Sequence, residues 1–420
     1  MAQPTHSWVD GATPDSGFGI RNLPYGVCAP ADAPAGAAGA CCAAAGGSVL
    51  LLGELARAGL LPAEAVAALC EPTLNAFMAL GRPAWRAVRA RLQALLAADG
   101  EPGADAALRG DAALRARALL PAGAVRLLLP ARVGDYTDFY SSRDHAHNVG
   151  VMLRGAANAL QPNWLWLPVG YHGRASSVVA SGTDVRRPAG QLQVDAADAT
   201  KGAVLAPTKR LDFELEMATW VGGPGSALGE PVAMAAAEEH VFGLCLMNDW
   251  SARDVQAWEY VPLGPFTAKN FATSVSPWIV TLEALEPFRC ATSTGAQVPP
   301  PLPYLVDPRY ETAGSFDVAL EVALLGAGWP APHVVTRSNF KHMYWNLRQQ
   351  LVHHTVSGCP LRPGDLLGSG TISGTVRRRA RAGARAGERG SRTLTPPPPS
   401  PRRPTRAARC SSSRGRARRR

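Results

Sequence analysis

No two of the eight cysteines stand at the Cys-x-x-Cys spacing of a zinc or redox motif. Cys28, Cys41, Cys42, Cys70, Cys245, Cys290, Cys359 and Cys410 sit mostly among apolar or turn residues. They read as reduced thiols of a cytoplasmic protein, not as a disulfide frame. The start, Met-Ala-Gln-Pro-Thr-His-Ser-Trp, has no charged residue followed by an apolar run, so a secretory signal is not expected. The Ala-rich stretch 35–52 is too interrupted by Gly and Cys for a membrane span. A Gly-x-Ser-x-Gly elbow, a P-loop and a Rossmann fingerprint are also missing, which removes the commonest serine-hydrolase and nucleotide-binding readings. Residues 376–420 contain no Phe, Tyr, Trp, Ile or Met. Such a segment buries too little apolar surface to offset its ordering entropy, and a disordered basic tail is expected there.

Charge points the same way. The chain carries a net +10, but residues 376–420 hold sixteen Arg against one acidic residue, Glu388, a net of +15. The remaining 375 residues are therefore at −5. A mildly acidic body argues against nucleic-acid binding by the body, leaving the tail as the one place for it.

What is present is a chain long enough for two or three domains. Residues 1–70 are rich in Gly, Pro and Ala with short apolar pieces, as in a small β-rich N-terminal domain. Pro83 opens a helical pattern in which Trp85, Val88, Leu92, Leu95 and Leu96 recur at helical spacing, and Gly100 and Pro102 end it. Residues 111–120 predict a second helix, and a boundary falls near 120–130. Short β-type runs at 165–169, 178–179, 213–221, 278–282 and 316–325 alternate with turns, predicting a mainly β (α+β) second domain. A helix is predicted from Asn339, with Phe340, Met343, Tyr344, Leu347, Leu351 and Val352 as its core stripe and Gly358 as its stop. The division expected is 1–125, 126–375 and 376–420.

The chemistry concentrates in residues 135–154. Asp135, Asp138 and Asp144, Tyr136 and Tyr140, Arg143, His145 and two serines fall within eleven positions. Glu214 and Glu216 lie two apart in an apolar, strand-like run, so they share one face. Two buried carboxylates side by side call for a cation, and their oxygens suit Mg²⁺ or Ca²⁺; a solvated strand face is the other reading. Asp249 follows an apolar run, 241–247, at a strand end, and Asp138 sits among aromatics. Taken singly, each serves equally as a turn carboxylate or a ligand. Together the four carboxylates would close one cage. His145, seven residues past Asp138, reads as a general base, an ordinary core or surface histidine being the alternative. Arg253, Gln256 and Lys269 are donors that suit a developing oxyanion, or an ordinary loop face.

With these residues assembled, the sequence resembles the fumarylacetoacetate hydrolase family. The resemblance begins at Asn22-Leu23-Pro24-Tyr25-Gly26-Val27 and becomes nearly continuous over 134–374. It runs through Tyr171-His172-Gly173-Arg174-Ala175-Ser176-Ser177, Trp258-Glu259-Tyr260-Val261-Pro262-Leu263-Gly264-Pro265-Phe266 and Asn339-Phe340-Lys341-His342-Met343-Tyr344-Trp345. It implies a small SH3-like N-terminal barrel, a larger β-roll hydrolase domain and a homodimer. It also implies a small-molecule diketo-acid substrate, 4-fumarylacetoacetate, cut at a carbon–carbon bond in tyrosine and phenylalanine degradation. Carried onto this chain, the metal ligands are Asp138, Glu214, Glu216 and Asp249, with Lys269 and Thr273 beside a second metal, Mg²⁺. The catalytic groups are His145, Arg253 and Lys269. Substrate contacts are Tyr140, Arg154, Tyr171, Gln256, Tyr260 and Thr371.

Two departures stand out. Residues 28–50 are Ala-, Gly- and Cys-rich where the family has ordinary strand sequence, which puts the first barrel strands in question. The likeness also ends at Gly374, ahead of further β-rich sequence that in the family includes a glutamate orienting the catalytic histidine. From this the expectation is a C-terminally incomplete catalytic domain with weakened activity and stability, or, as the alternative function, a non-catalytic form.

Overall fold

The computed structural model describes residues 3–291 and 297–373; the tail expected to be disordered lies outside them. The N-terminal part is built on β1 (Tyr25–Pro30), β2 (Ala40–Ala45) and β3 (Ser48–Leu51). A helix, α1 (Arg82–Leu96), follows, then β4 (Leu119–Pro121) and β5 (Val125–Leu128). These strands form one antiparallel sheet in the order β4-β3-β2-β1-β5. The Ala/Cys-rich stretch is therefore strand after all, and its small residues have a reason. Cys41, Ala43 and Ala45 face the main core, while Cys42 packs with Cys28 and Val49 on the other side. A strand covered on both faces has no polar side to display, so the alternation that usually marks a strand is lost.

Helix α1 forms where the periodicity predicts it, and its apolar stripe is buried. Trp85 donates through Nε1 to the Phe77 carbonyl at 2.9 Å and meets the Phe242 ring edge-on at 5.1 Å. Phe242 belongs to the large sheet, so α1 joins the N-terminal strands and that sheet in one apolar core.

The large sheet, the two-stranded pair of Leu211–Asp212 with Ser251–Ala252 and their helices come from widely separated pieces. In chain order come β6 (Tyr136–Phe139), α2 (Arg143–Arg154), β7 (Gly170–His172), β8 (Val178–Ala180), β9 (Leu211–Asp212) and β10 (Leu215–Val221). They are followed by β11 (Val241–Asp249), β12 (Ser251–Ala252), α3 (Arg253–Glu259), β13 (Thr273–Val275) and β14 (Val280–Thr281). Last come α4 (Leu347–Thr355) and β15 (Leu366–Gly368). The sheet order is β7-β6-β15-β10-β11-β13-β8, with β14 pairing beside β11. β15 lies parallel to β6 and antiparallel to β10, threading the last described strand between two formed much earlier.

Three local predictions need correction. Residues 165–169 are turn and coil, with the strand starting at Gly170. The Val169 carbonyl accepts the Tyr140 amide at 2.9 Å, and Leu165 and Val169 pack half-buried in the same apolar cluster as Tyr140. The strand run 213–221 is broken at Phe213 and Glu214. The helix predicted from Asn339 begins only at Leu347, after a single 3-10 turn at Phe340–His342. Asn346 accepts from the Arg348 and Gln349 amides, and Gln349 returns a contact to the Asn346 amide, so a capping box fixes the start there. Phe340, Met343, Tyr344 and Trp345 are still buried, as the stripe requires, without being helical.

Candidate active site

The middle of the large sheet brings five strand ends together. Asp138 pairs across β6 and β15 with Gly368, Gly368 with Ala218 of β10, and Asp249 of β11 with Thr273 of β13. Asp138, Glu214, Glu216 and Asp249 are all buried, and each offers an oxygen lying within 4.8 Å of the others. The four sequence-selected carboxylates thus meet, and Glu214 and Glu216 turn to the same side as their spacing requires. Gly368 makes this possible. A Cβ there would lie 3.0 Å from Asp138 Oδ1, 3.2 Å from Glu216 Oε2 and 2.6 Å from Met247 Cε.

Two cations enter the cage. Lys269 Nζ donates to Asp249 Oδ2 at 2.7 Å and also to Glu214 Oε2. Arg253 Nη2 donates to Glu214 Oε1 at 2.6 Å. Neutral donors complete the near side: Thr273 Oγ1 to Asp249 Oδ1 at 2.7 Å, Tyr171 OH to Asp249 Oδ2 at 3.3 Å, and the Gly370 amide to Glu216 Oε2 at 3.0 Å. Among the described residues, Asp138 Oδ1 and Glu216 Oε1 are buried with no hydrogen-bond partner. Four carboxylates against one ammonium and one guanidinium leave two negative charges uncompensated in a low-dielectric interior. That deficit is expensive unless a cation offsets it. An all-oxygen donor set with orphaned lone pairs fits a hard divalent ion.

The proton affinities tell the same story. Burial, with the Asp249 charge beside it, pushes Asp138 up to about 8. Burial also raises Glu216 strongly, reinforced by Asp138 and Glu214, and raises Asp249 despite Lys269. Glu214 is the exception. Its burial is outweighed by Lys269 and Arg253, which draw it down to about 2. Lys269 is raised because Glu214, Asp249 and Asp138 outweigh its burial, so it stays protonated and acts as a donor.

His145 sits in the first turn of α2, which the Ser142 hydroxyl caps by accepting the His145 amide at 3.3 Å. Its ring meets Tyr140 edge-on at 5.6 Å, and its Nδ1 lies 3.1 Å from Ser373 Oγ. Burial pushes the imidazole down to about 4, with Glu214 opposing and Arg253 and Lys269 assisting. The ring is therefore neutral at pH 7, as a proton acceptor must be.

The remaining sequence-selected residues divide. Tyr140 follows β6 directly, and the charges of Arg154, Glu214 and Arg253 all act on its hydroxyl. Gln256, one turn along α3, accepts from Arg253 Nη1 at 3.1 Å. Thr371 follows Gly370, whose amide touches the cage. Arg154 ends α2 with Nε and Nη2 given to the carbonyls of Asn158 and Ala159, at 3.1 and 2.7 Å. Tyr260 lies just beyond α3 and is 38% exposed. Sequence reasoning missed Gly368; it points to the stretches 211–216 and 369–374 as meeting residues 135–154, but gives Asp212, Gly370 and Ser373 no role of their own. Asp212 receives Arg253 Nε at 2.8 Å and stands two residues before Glu214, the spacing that singled out Glu216.

Comparison with known proteins accounts for both halves of the chain. Residues 21–130 match the family described as Fumarylacetoacetase N-terminal, and residues 135–394 match Fumarylacetoacetate (FAA) hydrolase C-terminal. The second match runs past Gly374, the point at which the sequence likeness is expected to end. Fumarylacetoacetase of Bos taurus is 53% identical over 362 residues, covering 86% of this chain and 82% of the relative. That of Caenorhabditis elegans is 51% identical over 364 residues (86% and 83%), and that of Homo sapiens 51% over 362 (86% and 82%). Half the residues identical over that length, with family models matching both parts of the chain, make this chain a member of the fumarylacetoacetase family.

Proposed function

We infer that this chain is a hydrolase that cleaves 4-fumarylacetoacetate to fumarate and acetoacetate, the closing step of tyrosine and phenylalanine degradation. The observation that carries the reading is the acidic cage with its two-charge deficit, set beside a neutral histidine. Asp138, Glu214, Glu216 and Asp249 would hold a divalent ion, Mg²⁺ or Ca²⁺. When bound, that ion supplies electrophilic stabilisation of oxygen atoms that become anionic during the reaction. Lys269 and Thr273, both turned toward Asp249, are assigned as neighbours of the metal position, including the second Mg²⁺ the family resemblance implies.

The chain's own residues carry the proton and charge movements. Nδ1 of His145 faces Ser373, which leaves Nε2 to take a proton from water as its oxygen attacks the substrate carbonyl. The tetrahedral oxyanion forms beside Arg253 and Lys269, whose N–H groups are already oriented by Asp212, Glu214 and Asp249, and beside Gln256, whose Oε1 accepts from Arg253. When the carbon–carbon bond breaks, its electron pair passes to the acetoacetate side, and the proton held by His145 returns to that fragment. Tyr140, Tyr171, Arg154, Tyr260 and Thr371 are assigned to the substrate, its carboxylate ends drawing the arginine and the hydroxyls.

Exposed Val261, Leu263 and Phe266 follow α3, which carries Arg253 and Gln256. This apolar loop supports a homodimer with its sites near the interface. The antiparallel order of β1 to β5 supports an SH3-like barrel for residues 1–125, and the curled large sheet supports a β-roll for 126–375. The seven described cysteines are all free, which fits a cytoplasmic setting. Among the described residues no helix is long and apolar enough to cross a membrane. The alternative of a non-catalytic form has no finding in its favour. Turnover of fumarylacetoacetate by the purified chain, lost with a chelator and restored by Mg²⁺ or Ca²⁺, tests the reading. Turnover unaffected by thorough chelation would refute the metal assignment.

A further inference from the structure

Arg253 is held at all three guanidinium nitrogens. Nη2 donates to Glu214 at 2.6 Å, Nη1 to Gln256 at 3.1 Å and Nε to Asp212 at 2.8 Å. Glu214 belongs to the acidic cage and Gln256 to the assigned oxyanion side. Asp212 belongs to neither. It is 42% exposed at its side chain, and its other oxygen, Oδ1, accepts the Phe213 amide at 2.9 Å. Its place is set by the short β9/β12 pair, in which Asp212 lies opposite Ser251, two residues ahead of Arg253. The Arg253 amide also donates to the Arg210 carbonyl at 2.9 Å, so the backbone and the side chain of Arg253 are both tied to the segment 210–212.

We propose that Asp212 is a positioning residue for the hydrolysis, one that acts on the reaction only by fixing the Arg253 guanidinium. The physical reason lies in the shape of that group. A planar guanidinium beside a carboxylate prefers a two-point, fork-to-fork pairing. In this structure Glu214 receives one arginine nitrogen, at Oε1: Nε is taken by Asp212, and Oε2 of Glu214 already accepts from Lys269. With Nε anchored on the outside, the Nη edge faces the cage and Gln256. Without Asp212, Nε is released and the guanidinium can turn about its contact with Glu214 Oε1, competing with Lys269 for that carboxylate. That would turn its donors away from the substrate and occupy a carboxylate assigned to the metal. Alignment errors on the scale of 1 Å at such a donor cost up to about a hundredfold in rate.

This inference rests on the reading of Arg253 as an oxyanion donor, and a double-mutant cycle separates the two. Asp212→Asn is nearly isosteric and keeps an oxygen for the Phe213 amide. Asp212→Ser is a second variant, of different shape, should the first fold poorly. Arg253→Gln removes the guanidinium. Each single variant, the Asp212→Asn/Arg253→Gln pair and the parent are assayed on fumarylacetoacetate with saturating Mg²⁺, with thermal midpoints recorded alongside. The expected result is a fall in kcat of ten- to a hundredfold for Asp212→Asn with KM within about threefold, as for a contact that matters mainly in the transition state. In the Arg253→Gln background the same change should cost less than about twofold further. Equal losses in both backgrounds would overturn the proposal, making Asp212 a structural residue. Near-parent turnover by Asp212→Asn, with Arg253→Gln slow, would overturn it as well. Near-parent turnover by Arg253→Gln would instead remove the oxyanion role of Arg253, and this inference with it.

Discussion

Replacing Asp138 by Asn should stabilise the metal-free protein, although it removes a group assigned to the metal. Asp138 is 3% exposed, and burial together with Asp249 pushes its carboxyl up to about 8. The unfolded chain ionises this group near 4. Between those values the folded state binds more protons than the unfolded one, so metal-free stability falls as pH rises, by ~1.4 kcal/mol per pH unit for a single group. At pH 7 the loss attributable to Asp138 is roughly 4 kcal/mol, spread in part over its coupled neighbours. The amide that Asp138→Asn puts in its place cannot ionise and escapes this loss. The assay is urea unfolding in chelator from pH 5 to 8 for parent and variant, repeated with Mg²⁺. In chelator the parent should lose stability across the range while Asp138→Asn stays flatter and exceeds it at pH 7. With Mg²⁺ the order should reverse, because the parent gains binding energy that the variant has lost. A variant no more stable than the parent in chelator at pH 7 would refute the charge-deficit account of the cage.

Glu216→Gln keeps the shape of a fully buried carboxylate while removing one negative charge; metal affinity by calorimetry and turnover should fall together, and unchanged affinity would take Glu216 out of the proposed metal site. His145→Ala should leave metal binding intact and cut kcat by about 10²–10⁴, with near-parent turnover contradicting the general-base role. Because burial holds the imidazole down at about 4, the acidic limb of the parent's pH–rate profile should lie well below the ordinary histidine value near 6.5; a limb at 6.5 or above would count against it. Gly368→Ala forces a methyl to within 2.6 Å of Met247 Cε and 3.0 Å of Asp138 Oδ1. It should cost about 1–3 kcal/mol in denaturant unfolding and weaken metal binding, whereas an unchanged affinity would mean that the cage tolerates the methyl. Glu238→Gln leaves the fully buried Arg348 without its carboxylate and should cost about 3–5 kcal/mol with the metal site unaffected, read by unfolding and calorimetry.

The parts of this structure legible in the sequence are those that local periodicity encodes. Trp85 to Leu96 announce α1 because one face of an exposed helix must be apolar. Glu214 and Glu216 announce a shared face because the spacing of two survives even where the strand is broken at 213–214. Asp249 is legible because an apolar run ends at it. What could not be read depends on partners distant in the chain. Gly368 matters only because β15 passes between Asp138 and Glu216, 230 and 152 residues away. Leu165 and Val169 pack half-buried against the core, and Phe340, Met343, Tyr344 and Trp345 are buried, so apolar packing mimics a strand in one run and a helix in the other. In the second case the arbiter is present in the sequence: Asn346 with Gln349 three residues on is a cap signal, and it outranks the apolar stripe before it.

Two carboxylate clusters in this chain show why the cage reads as a metal centre and not as an ion-pair network holding the fold together. Around Glu238 the charges balance: Arg82, Arg86, Arg289 and Arg348 interleave with Glu238, Glu239, Glu283 and Glu286, and three of the arginines converge on Glu238 itself. Arg289 reaches both of its oxygens at 2.9 Å, Arg348 donates through Nε at 2.7 Å, and Arg82 lies at 3.4 Å. Both oxygens are satisfied, the carboxyl is drawn below its ordinary value despite its burial, and Arg348 stacks on Tyr310 at 3.9 Å. Such an arrangement is complete without any added ion. Around Asp138 the balance fails: four acids meet two cations, two oxygens are orphaned, and three of the four carboxyls are raised. A fold gains nothing in stability from that imbalance, since apolar residues of similar volume would fill the same space at lower cost. Without metal the imbalance is relieved by protons on Asp138 and Glu216; a divalent ion offsets it with the carboxylates ionised. The protein thus places at its sheet centre a site whose stability depends on the group that its chemistry needs, with Lys269 and Arg253 limiting the deficit to what one such ion can offset.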